Sequence, residues 1–475
     1  MIAGLKPYSA MRDSGVPWLG RVPEHWEVRR NGRLFAQRNE TGFPELPILE
    51  VSLRTGVRIR DFESSHRKQV MSEKEKYKRA RRADIAYNMM RMWQGAVGFA
   101  PIDGLVSPAY VVAKPLPGTE SRYFEFLFRT NAYMAEVNNY SRGIVSDRNR
   151  LYWDEFKQIP SPYPPIDEQA AIVRFLNHAD RLIRRYIRSK QNLIELLEEQ
   201  KLAIIHRAVT RGLDPNARLK HSGMKWLGDV PEHWEVMALR LRYRQCLGKM
   251  LDSKRVRGLD SLPYLRNTDV QWDRINTLDL PVMDIAPSEY GRYTVKPGDL
   301  LICEGGEVGR CAIWNGDLEV CGFQKALHRL RPLSVDHDIP RFLYYVLRVA
   351  TQAGAFDDGH ESTIAHLTGD KLRAHRFVFP PKTEQVAIVA YLDNATRDVN
   401  QGGAGAQREI DLLREYRARL IADVVTGKQD VRAAAANLPN AADEPELLDE
   451  NEALAESDED LADVKLDAST EQAEA

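Results

Sequence analysis

The sequence holds no run of the roughly 18 apolar residues that a membrane-spanning helix needs. Its first residues, MIAGLKPYSAMRDSG, lack the apolar stretch of a secretory signal, so a cytoplasmic location is expected. Cysteine is scarce: Cys246, Cys303, Cys311 and Cys321 all lie in the second half, and none forms a CxxC pair. Zinc ligands usually come in such pairs, so reduced, buried thiols are expected and no metal site. Signatures of catalysis are missing as well. There is no GxxxxGK[ST], no HExxH and no GxSxG, and GGEVG (305–309) does not have the GxGxxG spacing. YPPI (163–166) and FPPK (379–382) have paired prolines but not the Asn/Asp-first order of a DNA amino-methyltransferase loop. The expected reading is a non-catalytic chain with no cofactor of its own.

What is present is a body of unusual charge. The chain of 475 residues carries a net charge of −1. From Asp443 to the end there are fourteen acidic residues and one Lys, a net of −13, so the rest carries +12. A basic body suits a polyanion. The acidic end has the composition of a disordered tail.

There is also a repeat. SGVPWLGRVPEHWEV (14–28) returns as SGMKWLGDVPEHWEV (222–236), with twelve of fifteen positions identical. PPIDEQAAIVRFLNHAD (164–180) returns as PPKTEQVAIVAYLDNAT (380–396), a shift of 216. Fainter matches fall between these anchors in the same order. DIAYNMMRMWQGAVG (84–98) stands against DLLICEGGEVG (299–309), and RYFEFLFR (122–129) against RFLYYVLR (341–348). Tandem duplication of one unit explains the whole chain.

In 166–210 the residues Ile172, Val173, Leu176, Ile183, Ile187, Ile194, Leu197, Ile204 and Ala208 recur at steps of three and four. Prolines precede this run, and Gly212 and Pro215 follow it, which marks a long helix. Its copy occupies 382–427. Between them lie mixed α/β globules, with strand-like runs such as LPILEVSL, DIAYNMM, LVSPAYVVA, DLLIC and CAIW. The Trp and Pro residues of the first repeat are expected to clamp the start of each globule against a helix. The expected boundaries are a first domain 1–163 with its N-terminal arm, a spacer helix 164–212, a second domain 213–379, a spacer helix 380–430 and the acidic tail 431–475.

Residue types suited to DNA cluster at the loops that differ between the copies. RMWQG (91–95) falls at the tip of a hairpin, where Arg91 and Gln94 can read base edges and Trp93 can stack or wedge. VRIRDFESSHRK (57–68) adds Arg58, Arg60, Arg67 and Lys68. SRGIVSDRNRLYW (141–153) adds Arg142, Ser146, Arg148, Asn149 and Arg150. In the second copy the matching places hold CEGGEVGR, with Arg310, and DGHESTIAHL (358–367), with His360, Ser362, Thr363 and His366. Lys325 completes the candidate set. A shared frame with unlike tips is what two readers of different sequences need.

Taken together and in order, WLGRVPEHWEV with WLGDVPEHWEV, MRMWQGAVG with GLVSPAY, GDLLICEGGEVGR, RLYWDEFKQIP, the doubled PPxxEQ and DVVTGKQDVR (423–432) resemble the specificity subunit of a type I restriction-modification system over about residues 10–432. The resemblance implies two tandem target-recognition domains, α/β in class, separated by two long antiparallel coiled-coil helices about a pseudo-twofold axis. Each domain would read one half of a split, asymmetric site on double-stranded DNA. It implies partners too: modification subunits, two of them, that methylate adenine with S-adenosylmethionine, and restriction subunits that cut DNA with ATP and Mg. A self-sufficient methyltransferase and a helical adaptor remain as alternatives.

One departure from helix-forming sequence carries a further expectation. QGGAGA (401–406) lies inside the second helix, although Gly is a poor helix former by about 1 kcal/mol. If the two helices cross at their midpoints, near 188 and 404, Tyr186 and Ile187 should fill the groove left by Gly402, Gly403 and Ala404.

Overall fold

The computed structural model describes residues 5–53, 55–60, 74–143, 149–251, 258, 260–356 and 366–439. The chain divides into two compact units. One takes residues 1–187 and 412–475, the other 188–411. The division cuts both long helices, so each unit owns one half of each.

In the first unit four strands form the central sheet: β1 (Phe35–Arg38), β2 (Ile85–Asn88), β3 (Val97–Phe99) and β4 (Tyr110–Pro115), in the order β1-β4-β2-β3 and antiparallel throughout. All four residues of β2 are buried, which is why DIAYN reads as a continuous apolar run rather than an alternating one. LVSPAYVVA is not one strand. It breaks at 107–109, and Gly104–Val106 pairs instead with Lys78–Ala80. RYFEFLFR lies in the first of two successive helices, α1 (Ser121–Phe128) and α2 (Asn131–Tyr140). Thr130 separates them: its backbone is extended, and its hydroxyl accepts from Tyr133 N and so caps α2. Phe35, Phe124, Phe128, Tyr133 and Phe156 pack ring against ring beneath the sheet. The unit also holds the start of α3 (Ile166–Arg211).

In the second unit β5 (Tyr243–Leu247), β6 (Leu300–Cys303), β7 (Cys311–Ile313) and β8 (Leu327–Pro332) take the order β5-β8-β6-β7. That is the same permutation as in the first unit. α4 (Pro340–Gln352) lies in the same place along the chain as α1, with Pro at its first turn, where a missing N–H costs nothing. α5 (Lys382–Val425) follows. Cys303, Cys311 and Cys321 are buried and Cys246 is half-buried, all as free thiols.

The repeated Trp–Pro segment has the same duty in both units. His25 Nε2 lies 2.8 Å from Glu168 Oε2, and Tyr8 donates to the other oxygen of that carboxylate. In the second unit His233 Nε2 lies 2.7 Å from Glu384 Oε1, and Trp234 Nε1 donates to Oε2 at 2.8 Å. The EHW of one repeat therefore grips the Glu of PPxxEQ at the start of a long helix. The buried Trp also seats the end of the other long helix. A Cβ at Gly427 would stand 3.0 Å from Trp26, and one at Gly212 only 3.1 Å from Trp234. Both glycines have positive φ, so close approach and helix termination both require them. This clamp is structural, as the residue types implied.

Two expectations need correction. Gly402 does not receive Tyr186. A Cβ there would meet Leu197 at 3.4 Å, eleven residues further along α3 than Tyr186. Tyr186 is 57% exposed, Ile187 packs against the core of the first unit, and the Cβ position of Gly403 faces open space. Lys190–Glu409 and Leu197–Gly402 place higher numbers on α3 against lower numbers on α5, so within this unit the helices run antiparallel, in a different register. The second correction concerns the tail. Arg432–Ala436 is a short helix, and Val431 and Ala435 are buried in the core of the first unit. Asp430 N donates to Lys6 O at 2.8 Å, and the Arg432 guanidinium lies 5.2 Å from the Tyr8 ring. Residues 431–439 therefore belong to the folded body.

Candidate nucleic-acid interface

In the first unit β2 and β3 form the expected hairpin and RMWQG is its turn. Gln94 N donates to Arg91 O at 3.0 Å and Gly95 N to Met92 O at 2.9 Å. Met92 is fully buried and anchors the turn. Trp93 is not a free wedge: its Nε1 donates to Met90 O at 2.9 Å, and its ring packs against the core. Arg91 is half-buried, whereas Gln94 is exposed, so of this turn Gln94 presents a side-chain amide to solvent.

The arginine loop joins this hairpin. Arg142 and Arg150 form an antiparallel backbone bridge, N to O at 3.0 and 2.9 Å, and Leu151 N donates to Met89 O at 2.8 Å. Asn149 Nδ2 donates to Asn138 Oδ1 at 2.9 Å. The Arg142 guanidinium, 77% exposed, pairs with Glu155 at 2.7 Å. Arg58, on the strand Gly56–Ile59, is tied to Glu50 on the neighbouring strand, and Arg60 N donates to Ile48 O at 2.9 Å. Ser146, Arg148, Arg67 and Lys68 lie outside the described residues.

A residue absent from the expected set organises these loops. Arg129, at the end of α1, donates to Gly95 O (3.2 Å), Val97 O (3.1 Å) and Leu53 O (2.7 Å). It fixes the hairpin turn to the turn between the Leu49–Ser52 and Gly56–Ile59 strands. Burial lowers its pKa, and burial raises that of Glu125 beside it, so the pair is held in a largely dry setting. The repeat alignment carried the signal, since Arg129 stands against Arg348.

In the second unit the hairpin β6–β7 closes through EGGEVG. Arg310 is tied into the fold. Its guanidinium is 14% exposed, donates to Asn267 O at 3.1 Å and pairs with Glu307 at 3.4 Å, so it closes its own hairpin. Lys325 and His366 are exposed and are brought together. With Met250, Leu251, Glu304 and Gln324 they line an open groove of about 430 Å³. His360, Ser362 and Thr363 lie outside the described residues.

Beneath the groove, Leu367 O accepts from His328 Nε2 at 2.7 Å, and His328 Nδ1 accepts from Gln245 Nε2 at 2.7 Å. Only the neutral ring with its proton on Nε2 satisfies both bonds, and burial lowers the His328 pKa to match. Leu367 N in turn donates to Glu304 O at 2.8 Å. The segment bearing His366 is thus fastened to the hairpin. Among the described residues no cluster of three His, Cys, Asp or Glu side chains could hold a metal ion, and no helix is long and apolar enough to cross a membrane.

Fold and site define a doubled chain, one α/β frame used twice with unlike tips. Residues 247–404 match the family described as type I restriction modification DNA specificity domain. A putative type I restriction enzyme MjaX specificity subunit of Methanocaldococcus jannaschii is 22% identical over 236 residues, which are 46% of this chain and 53% of that protein. The type I restriction enzyme MjaVIII specificity subunit of the same organism is 34% identical over 85 residues, 18% of each chain. These matches span about half or less of those relatives. A solved chain from work on the structural basis of complex assembly and conformational transition of the type I R-M system is similar in fold. It has a TM-score of 0.60 at 16% identity and covers 85% of this chain and 98% of that one. The chain is thus similar to specificity subunits of type I restriction-modification systems, and residues 247–404 match the DNA specificity domain of that family.

Proposed function

We propose that this chain is the DNA-addressing, non-catalytic subunit of a type I restriction-modification complex. Each unit reads one half of a bipartite, asymmetric site on double-stranded DNA, and α3 and α5 set the gap between the halves. Modification subunits carrying S-adenosylmethionine methylate adenine at that address, and restriction subunits cut with ATP and Mg. One observation carries the reading. Strand order and the His–Glu fastening are the same in both units, whereas the exposed donors at the tips differ: Gln94 and Arg142 in one, Lys325 and His366 in the other. Side-chain amides and cations are the groups that read base edges and hold phosphates. Several members of the expected set are turned inward or paired, so the reading rests on the tips as units rather than on each residue.

The test is an exchange of residues 20–160 for the first reader of another family member, followed by mapping of methylated adenines. One half of the methylated motif should change and the other should remain. A change in both halves would refute independent reading.

A further inference from the structure

The second unit contains a chain of contacts from its reading hairpin to both long helices, with no part in the address as so far described. It is centred on the two-residue turn Trp272–Asp273, between the paired strands Val270–Gln271 and Arg274–Ile275. Trp272 Nε1 donates to Glu307 Oε1 at 2.5 Å, and Glu307 lies in the turn of the β6–β7 hairpin. Asp273 N donates to Cys311 O on β7 at 3.3 Å. The turn is thus held to the reading hairpin at two points.

Two arginines on α4, seven residues apart and so on one face, carry the connection onward. The Arg348 guanidinium stands 5.1 Å from the Trp272 ring, within cation–π range, and pairs with Glu198 on α3 at 2.9 Å. Arg341 pairs with both oxygens of Asp273 and, at 3.1 Å, with Asp393 on α5. Tyr345 OH donates to the same Asp393 at 2.5 Å. Asp273 has a φ of +58°, a conformation an Asp adopts at some cost, and its carboxylate is aimed at Arg341. The Arg341 and Arg348 side chains are 27% and 13% exposed, whereas their carboxylate partners Asp273, Asp393 and Glu198 are 43%, 43% and 47% exposed.

The geometry points to Trp272, Arg341 and Arg348 as positioning residues that fix the angle of the second reading hairpin to the two helices, and so sharpen the permitted gap between half-sites. This rests on the proposed bipartite reading. The residues themselves need touch no base. A strut of this kind converts helix geometry into spacing accuracy. One base pair moves a half-site by about 3.4 Å, a displacement that a loosely hinged reader absorbs and a braced one does not.

The test uses the complex with its modification subunits and a set of duplexes carrying the mapped half-sites at gaps one base pair shorter, equal and one longer. Glu198→Gln removes the exposed end of one link without disturbing the core, and Arg348→Gln removes its centre. Each should lower the penalty for a shifted gap by about fivefold, the worth of one such pair, while base preferences within both half-sites stay as in the native complex. The double variant should be no worse than Arg348→Gln alone, because links in series fail together. An unaltered gap penalty in both single variants overturns the strut. So does relaxed base preference in the second half-site with an unaltered gap. A native complex that methylates without regard to any gap would refute the bipartite reading itself.

Discussion

The repeated Gln of PPxxEQ offers a sharp quantitative test of the duplicated frame. Gln169 is fully buried. Its Oε1 accepts from Glu120 N at 2.9 Å, and its Nε2 donates to Pro164 O at 2.8 Å and Gly118 O at 3.2 Å. Gln385 does the same with Ile339 N (2.9 Å), Pro380 O (2.9 Å) and His337 O (3.0 Å). Glu120 and Ile339 are the residues that precede α1 and α4, so each Gln ties the start of a long helix to the start of a sheet helix. Replacement by Ala orphans two of the three partners in each copy. Gly118 O keeps the Tyr163 hydroxyl at 2.7 Å, and His337 O keeps Arg242 at 3.2 Å. Two buried polar groups left unpaired cost about 1–3 kcal/mol each, so each variant should lose about 3 kcal/mol of local stability. Hydrogen exchange followed by mass spectrometry reads this as about a hundredfold faster opening. In Gln169→Ala the change should be confined to segments around 118–128 and 164–176, and in Gln385→Ala to segments around 337–347 and 380–392. Gln169→Glu preserves the acceptor but sets a carboxylate against a carbonyl, which favours its protonated form. That variant should be most stable in acid and lose stability as pH rises. Acceleration below about threefold, or equal acceleration in both units from one substitution, would refute the reasoning.

Gly403→Ala and Gly405→Ala should each stabilise the second unit by about 0.5–1 kcal/mol, read as a higher urea midpoint, because both are helical and a Cβ there meets nothing closer than 3.9 Å. A loss would show that the glycines make room for something. Gln94→Ala should alter base preference at one position of the first half-site with the salt dependence of binding unchanged, whereas Arg142→Ala should flatten that dependence by about one unit; filter binding at several salt concentrations separates them. Burial lowers the pKa of both His328 and His375, so the unfolded chain takes up their protons first. Stability of the second unit should therefore fall as pH drops through about 6.5, by up to about 1.4 kcal/mol per pH unit for each histidine. Urea midpoints at pH 8 and 5.5 should show the fall, and His328→Gln should reduce it.

Much of this architecture is legible in the amino-acid sequence because it depends on period and repetition. The three- and four-residue steps of 166–210 define a helix that the structure extends by one residue, and the pairing of DIAYN with DLLIC marks the same strand in both sheets. Helix register is not legible in this way. A stripe that recurs every three or four residues is nearly unchanged by a slip of about three turns, so side-chain volumes near 188 and 404 could not choose the partner of Gly402. The ends favour one register: Trp26 on Gly427 and Trp234 on Gly212 act far from the midpoint. The tips were harder to read for another reason. Arg310 is a candidate reader by type, but Glu307 stands three residues before it and Asn267 O lies within reach, and only the folded hairpin reveals those partners. Arg129 carries no such signal in its own segment, because an Arg at a helix end normally faces water.

The buried carboxylates show what duplication has kept. Asp84 and Asp299 open the matching strands β2 and β6 and are each 2% exposed. Each accepts a backbone N–H from three residues earlier, Arg81 at 2.8 Å and Lys296 at 2.7 Å. Each is also gripped by a guanidinium through both oxygens, but the arginine differs. Asp84 takes Arg38 from β1, and Asp299 takes Arg331 from β8. A buried carboxylate must have a partner, yet either of two neighbouring strands can supply it. The frame therefore preserves a physical requirement at each position and leaves open which residue meets it. Where the requirement is internal, as at the His–Glu–Gln fastening, the copies still match. Where it is imposed from outside, at Gln94 and Arg142 in one unit and Lys325 and His366 in the other, they do not. That division between a fixed interior and free tips is what the proposed reading of two different half-sites requires.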